Sequence, residues 1–371
     1  MKGDDMVEKF DAIIIGSGIG GLSCAASLAM CNYKVLVLEK NSSPGGSMST
    51  FTEPATANWT WSPGLQWVCG YSETSVDYML LKAMTDGNIS FSPFDYECQI
   101  KYFPDLDYQF TFVNDKIKLL EKLKSEFPKE SKKVNLYFKY LNILEKKSGM
   151  FSLPKMYLPV IARFMFWVSK VFKILPHMDK SVTEVIDTVL KIENKNLKAI
   201  LTSFSHYFGI PLDETPFPFY AYAQNMQFNG MFFPDGGGQA LVDAFLSSIK
   251  QKEGKVLQSS AVKKIIFKDN KAVGVKTEND IEIYADKIIS SIGIKETLFG
   301  LIPEQNRPAK LVKALDKHKS VPSFLLLLVG FEGDISSFGI KKTAYKTIIG
   351  DPSTMSRNPL EKEWVCDDVT I

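Results

Sequence analysis

Residues 11–46, DAIIIGSGIGGLSCAASLAMCNYKVLVLEKNSSPGG, constrain this chain more than any other stretch. Ile13, Ile14 and Ile15 form a short apolar run suited to a buried parallel strand. Gly16, Gly18 and Gly21 follow with the G-x-G-x-x-G spacing. The first glycine permits a tight turn, the second lets a pyrophosphate approach the backbone, and the third lets a helix pack closely on the strand. The helix that opens there turns unpaired N–H groups and the positive end of its dipole toward the phosphates. A second strand, Lys34 to Leu38, ends in Glu39, at the spacing of a carboxylate that accepts hydrogen bonds from a ribose. The spacing alone is a weak signal. Strand, helix and terminal carboxylate together make it a dinucleotide site rather than a glycine-rich turn that binds nothing.

Glu39 repels a 2′-phosphate, so NADP is disfavoured and the residues leave NAD and FAD open. The chain runs past the carboxylate through Glu39-Lys40-Asn41-Ser42-Ser43 into Pro44-Gly45-Gly46, a glycine pair that lets the backbone pass close to an extended cofactor. This run resembles the FAD-binding signature of the flavin amine oxidase and phytoene desaturase superfamily, and the resemblance selects FAD. A second region is similar to the return segment of that superfamily. It has a turn at Gly236, Gly237 and Gly238, a helix from about Gln239 to Lys252, a strand at Lys255–Gln258, then Val262 and a β-meander to residue 293.

The segments PGGSMSTF, GLQWVCG at 64–70 and FFPDGGGQAL resemble most closely the retinol saturase and carotenoid isomerase branch. The resemblance covers both cofactor segments and is diffuse between residues 90 and 215. Gln66 stands where that branch often has histidine, and Ser47 where many relatives have Arg or Cys. The resemblance implies cofactor contacts from Gly16, Ser17, Gly18, Ile19, Gly20, Gly21, Glu39, Lys40, Gly45, Gly46, Ser47 and Met48, and from the backbone of Val262 at the adenine. It also implies an α/β chain: a Rossmann-like FAD-binding domain (βαβ, three-layer) interleaved with an α+β substrate domain. The late glycine-rich segment that closes over the cofactor in that superfamily is not found, so the C-terminal part is expected to be missing.

With 371 residues the chain can build a sizeable core, as one large or two interleaved domains. A net charge of +2 gives no basis for nucleic-acid binding. Five cysteines without a C-x-x-C pair point to a reducing compartment. The three histidines, His177, His206 and His318, cluster with no cysteine or acid, so no metal site is expected. The opening MKGDDMVEKF lacks an apolar core, so no signal peptide is expected and the chain is placed on the cytoplasmic side.

Along the chain, residues 1–70 are expected to be the first FAD-binding segment and 71–230 a substrate- and membrane-associated insertion. Residues 231–300 are the return segment, and 301–371 begin a substrate-domain sheet. Helices are expected at Asp77–Asp86, Asp115–Phe127 and Lys129–Lys147, and a hairpin from Cys98–Phe103 and Tyr108–Phe112 around Pro104-Asp105. Ser323–Phe331 is expected as an apolar strand. Residues 151–176, FSLPKMYLPVIARFMFWVSKVFKILP, carry Lys155, Arg163, Lys170 and Lys173 with no acid. Charge and proline interrupt the segment too often for it to span a bilayer, but a basic aromatic helix suits a membrane interface. The alternative is a core helix whose lysines reach out to water. Residues 217–233 are crowded with aromatics and either wall an apolar tunnel, with Gln224 and Asn225 as polar contacts, or are ordinary core.

No catalytic triad, carboxylate pair or activated cysteine emerges, so the catalytic residues stay unassigned. This agrees with a flavin carrying the electron chemistry, with Glu53, Gln66 and Tyr71 in reach of it. The function implied is FAD-dependent hydride or electron exchange with the conjugated double bonds of an apolar polyene or isoprenoid, giving desaturation, saturation or cis–trans isomerisation. A flavin amine oxidase or porphyrinogen oxidase is the alternative enzyme. A truncated, silent nucleotide-binding, membrane-associated protein is the alternative without catalysis. The oligomeric state is left open.

Overall fold

The isoleucine run forms β1 (Phe10–Ile15) at the centre of a six-stranded sheet in the computed structural model. The structure describes residues 9–52, 59–65, 67–70, 75–147, 161, 164, 167–168, 175–207, 210–315, 327–330, 333, 337, 344–348 and 368–370. The chain passes from β1 through α1 (Ile19–Met30) to β2 (Val35–Leu38), which pairs with β1 in parallel from Ala12↔Val35 to Ile15↔Leu38. Alternation sorts the side chains. Ala12, Ile14, Val35 and Val37 pack on α1, while Ile13, Ile15, Leu36 and Leu38 face the opposite layer. Helix α1 buries Leu22, Ala25, Ala26 and Ala29, the i, i+3, i+4, i+7 stripe that faces a sheet. The chain leaves it through Asn32, in the left-handed region at φ 61°.

A three-stranded sheet comes next: β3 (Val68–Cys69) and β4 (Phe91–Pro93) both pair with the later β7 (Met231–Pro234), and α2 (Val76–Met84) lies between them in sequence. The predicted hairpin forms as β5 (Glu97–Phe103) and β6 (Tyr108–Val113), joined through Pro104–Leu106. Helices α3 (Lys116–Glu126) and α4 (Ser131–Lys146) follow, close to their expected bounds. A short α5 (Val182–Glu184) runs on as a π-turn over Val185–Val189, ahead of α6 (Lys195–Thr202) and α7 (Phe217–Phe228).

The return begins with α8 (Gly237–Gln251) and β8 (Lys255–Leu257), which pairs in parallel with β2. Then come β9 (Val262–Lys268), β10 (Lys271–Thr277) and β11 (Glu282–Ser290). Strand β11 does two jobs. Ala285–Ser290 pair in parallel with β1, while Glu282–Tyr284 pair antiparallel with β10. The order is therefore β8-β2-β1-β11-β10-β9. The meander carries Ile265 and Val275 against Ile13, Ile15 and Leu36, so helices cover one face and the meander the other. Helix α9 (Ala309–Leu315) follows, and β12 (Ala344–Ile348) and β13 (Asp368–Thr370) extend the β5–β6 hairpin into a four-stranded sheet.

Among the described residues one expectation changes and one open alternative is decided. The apolar run Ser323–Phe331, expected as a strand, is described only at 327–330. These residues take no strand, Leu327 and Val329 are exposed, and the neighbour of β5 is β12. An apolar run becomes a strand only where another strand pairs with it, and composition does not encode that partner. The aromatic stretch 217–228 packs largely as core. Phe217, Tyr220 and Phe228 sit among Phe112, Tyr137 and Phe204, and the fully buried Gln224 accepts from the Tyr137 hydroxyl and donates to the Leu201 carbonyl (3.1 Å). Glu53, Gln66, Tyr71 and most of 151–176 lie outside the described residues.

Candidate cofactor site

The carboxyl ends of β1 and β2 place the two glycine turns and Glu39 together. Gly16 turns the chain out of β1 at φ +93°, and a Cβ there would meet Ile292 at 2.6 Å. A Cβ on Gly21 would overlap the Gly16 carbonyl oxygen, so only glycine lets α1 seat this close to the turn. Gly18 and Gly20 differ from these two. Nothing lies within 4 Å of a Cβ on either, and no side chain caps the α1 terminus at Gly18. The open space and the uncapped first-turn N–H groups lie where a pyrophosphate is expected.

Glu39 is almost fully buried at the end of β2. Its carboxylate accepts from the Ser17 N–H (2.9 Å), the Ser17 hydroxyl (2.5 Å) and the Asn41 N–H (2.9 Å). Burial alone would raise its pKa. The bonds from Ser17 and Asn41 and the charge of Lys40 outweigh that and hold the carboxyl below the usual range. The Ser17 hydroxyl also accepts from the Gly45 N–H (3.2 Å), which ties the carboxylate to the second glycine turn. Gly45 forms a bridge with Gly18, and a Cβ on Gly46 would stand 3.0 Å from the Gly18 Cα.

Ser47 and Met48 complete a short turn after Gly46 and are held by two further glycines. A Cβ on Gly64 would overlap the Ser47 carbonyl, and one on Gly238 would come within 2.8 Å of the Met48 carbonyl. On the far side, the Ser260 N–H donates to the Glu39 carbonyl (2.7 Å) and the Ser259 N–H to the Asn41 carbonyl (3.0 Å). Val262, the first residue of β9, follows two residues after Ser260. Lys40, next to Glu39 in the chain, is exposed, and Ile19 opens α1. The structure thus brings Ser17, Gly18, Glu39, Gly45 and Gly46 together at the carboxyl ends of β1 and β2.

Sequence reasoning gave no role to Gly64 or Ser291. The Ser291 hydroxyl donates to the Ile15 and Gly16 carbonyls, both at 3.0 Å, and closes β11 onto the turn. Only the Pro63-Gly64 and Ser-Ser-Ile-Gly turn chemistry hinted at either, because both act through partners far away in sequence.

The family model for flavin containing amine oxidoreductase matches residues 19–326. The chain belongs to this family. FAD is its cofactor, and the buried Glu39 and the open cradle at Gly18 fit it. Similar proteins include the Danio rerio inactive all-trans-retinol 13,14-reductase, 28% identical over 94% of this chain and 58% of that protein. The Danio rerio all-trans-retinol 13,14-reductase is 26% identical over 91% of this chain and 56% of its own length. Prolycopene isomerase 2 of an Oncidium hybrid cultivar is 26% identical over 87% and 55%. The chain thus spans little more than half the length of these relatives. A solved Pyrococcus furiosus protein superposes with a TM-score of 0.60 at 20% identity, covering 92% of this chain and 72% of that one. A putrescine oxidase variant superposes at 0.53 and 14%, covering 80% and 62%. These two likenesses bear on the fold alone.

Proposed function

We propose that this chain is the FAD-binding body of an oxidoreductase that acts on the conjugated double bonds of an apolar polyene or isoprenoid. The observation that carries the reading is its similarity to both retinol 13,14-reductases and prolycopene isomerases across about nine-tenths of the chain. FAD, when bound, supplies a two-electron donor or acceptor beside the double bonds. The protein's part is placement. Gly18, Gly20 and the first-turn amides of α1 take the pyrophosphate, Glu39 accepts from a ribose hydroxyl, and Gly45, Gly46, Ser47 and Met48 support the extended middle of the cofactor. Val262 meets the adenine.

The test is a visible spectrum after desalting, followed by anaerobic reduction and addition of an all-trans polyene. Flavin absorption that survives desalting, with a blue-shifted or isomerised polyene product, is expected. Bound flavin with no change in any polyene tested overturns the substrate class. It favours a second reading, a flavin-binding chain without turnover, which the similarity to a relative named inactive supports.

An apolar substrate is best drawn from a lipid surface. We assign docking to residues 151–176, peripherally and on the cytoplasmic side. Ile161, Phe164 and Trp167 are exposed there at i, i+3, i+6 spacing, and the rings of Phe164 and Trp167 stack at 6.0 Å. No helix among the described residues is long and apolar enough to cross a membrane. The described cysteines, Cys24, Cys31, Cys69 and Cys98, are free thiols.

A further inference from the structure

Helix α4 repeats itself on the side that faces water. From Lys132 to Lys146 the sequence reads K-x-x-N-L-x-x-K-x-x-N-I-x-x-K, so a lysine recurs every seven residues at Lys132, Lys139 and Lys146, with Asn135-Leu136 and Asn142-Ile143 between them. Seven residues are close to two helical turns, so the repeat keeps to one face and drifts by only about 20° per cycle. The three lysines and both asparagines are exposed, Leu136 reaches the surface and Ile143 is half-buried. Val134, Tyr137, Phe138, Leu141 and Leu144 take the opposite face into the core. Core packing therefore does not require the repeat.

Its charges also differ from those of the lysines nearby. Lys116 pairs with Glu145 at 2.9 Å, Lys133 pairs with Glu130 at 2.7 Å, and Lys122 donates to the Thr111 carbonyl at 2.6 Å. Glu145 is the one acid of α4, and the Asn229 amide holds it as well, at 2.7 Å. Among the described residues, no acid, carbonyl or ring engages Lys132, Lys139 or Lys146. The places four residues on from Lys132 and Lys139, where a glutamate would form an i, i+4 pair, hold Leu136 and Ile143. Three positive charges thus stand together uncompensated in a chain whose net charge is only +2.

We infer that this face of α4 lies on the anionic headgroups of a phospholipid surface. Lysine is a point charge on a flexible stem and asks for no fixed geometry, which suits a fluid array of phosphates. Leu136 and Ile143 suit the apolar boundary just beneath the headgroups. The repeating positions hold neither arginine nor an aromatic ring, the side chains that stack on a single-stranded nucleic acid. The inference rests on the proposed docking of residues 151–176, which come next in the chain. It adds a contact dominated by charge to one dominated by the exposed Phe164 and Trp167.

Co-sedimentation of the full chain with phosphatidylserine–phosphatidylcholine vesicles, and with phosphatidylcholine alone, tests it. Lys132→Gln/Lys139→Gln/Lys146→Gln is expected to keep the wild-type circular dichroism and to bind the anionic vesicles roughly a hundredfold more weakly. Lys132→Arg/Lys139→Arg/Lys146→Arg, which keeps the charge, is expected to bind like wild type. Lys264→Gln/Lys268→Gln/Lys271→Gln removes the same charge from exposed positions of β9 and β10 and is expected to change binding by less than about threefold. Wild-type binding by the α4 glutamine variant, an equal loss in the β9–β10 variant, equal binding to neutral vesicles, or a preference for single-stranded RNA over vesicles overturns the assignment. Phe164→Ser/Trp167→Ser separates it from the reading on which it rests. Loss of binding there but not in the α4 glutamine variant overturns this inference and leaves the docking of 151–176. Loss in the α4 variant alone leaves this face as the docking surface without the segment. A wild type that binds no vesicle overturns both.

Discussion

Glycines of one motif do different physical work, and single substitutions separate them. Gly18 has φ −61° and ψ 169°, a conformation open to any residue, with free space where its Cβ would stand. Gly18→Val is therefore expected to keep the fold and lose bound FAD, because the branched side chain fills the cradle. Stoichiometric flavin in that variant would sink the assignment of the phosphate turn. Gly21→Ala is expected to behave in the opposite way, since its methyl runs into the Gly16 carbonyl. A loss of about 1–3 kcal/mol in denaturant stability is expected, and an unchanged midpoint would contradict the close packing of α1. Glu39→Gln keeps the shape but weakens charge-assisted bonds, so the FAD dissociation constant is expected to rise about tenfold, roughly 1.4 kcal/mol. The folded pKa of Glu39 is lowered, so its contribution to stability is whole above the ordinary glutamate value of about 4.3 and is lost as pH falls through the lower folded value. Urea midpoints of wild type and Glu39→Gln are expected to differ by a constant amount from pH 6 to 8 and to begin to draw together as pH falls below the ordinary glutamate value of about 4.3. A gap that grows on acidification refutes the lowered pKa.

At the level of elements, what was legible in the sequence is what local pattern encodes. Strand β2, the β5–β6 hairpin and helices α3, α4 and α8 lie within one or two residues of their expected bounds, and β1 extends the expected isoleucine run by three residues. Apolar period, caps such as Asp115 on α3 and turn residues are short-range signals. Elements set by distant partners were not legible. Strands β3 and β4 are two and three residues long and exist because β7 passes between them, more than 130 residues later. Lys101 illustrates the same limit. A lysine in a strand reads as solvent-facing, yet it is fully buried, donating to the Ser203 carbonyl (3.0 Å) and hydroxyl (2.9 Å) at the carboxyl end of α6. The negative end of a helix dipole and the Phe204 ring 3.9 Å away hold a charge that strand pattern alone would put outside. Segment 151–176 is a local pattern whose proposed partner is a lipid surface. Wild-type protein is expected to sediment with anionic vesicles, less so at high salt, and replacing Lys155, Arg163, Lys170 and Lys173 with glutamate is expected to abolish this. Equal sedimentation of the charge-reversed protein, or none by the wild type, assigns the segment to internal packing instead.

On the scale of the whole molecule, the cofactor site is a junction between parts of the chain far apart in sequence. Strands β1 and β2 come from residues 10–38, while β8 and β11, which flank them, come from residues 255–290. The bonds that close the site cross the same gap: Ser260 to Glu39, Ser291 to Gly16, and Gly238 against Met48. A ligand held by Gly18, Glu39 and Val262 binds only when both segments are in place, so it must stabilise the folded sheet over its separated halves. At a free FAD concentration a hundred times the dissociation constant, linkage sets this at about 2.7 kcal/mol. For a chain of 371 residues, at an unfolding entropy of about 2.1 cal/mol/K per residue, that corresponds to a rise of roughly 3–4 °C in the melting temperature. The rise is expected to grow with the logarithm of FAD concentration, to be absent in Gly18→Val and to be reduced in Glu39→Gln. The second core, built around Phe112, Tyr137, Phe204 and Phe228, has no part in the cradle. If it melts as a separate transition, that transition is expected to stay put as FAD is added. A melting temperature that ignores FAD in the wild type, or moves equally in Gly18→Val, would mean that the ligand is not held where the two halves of the sheet meet.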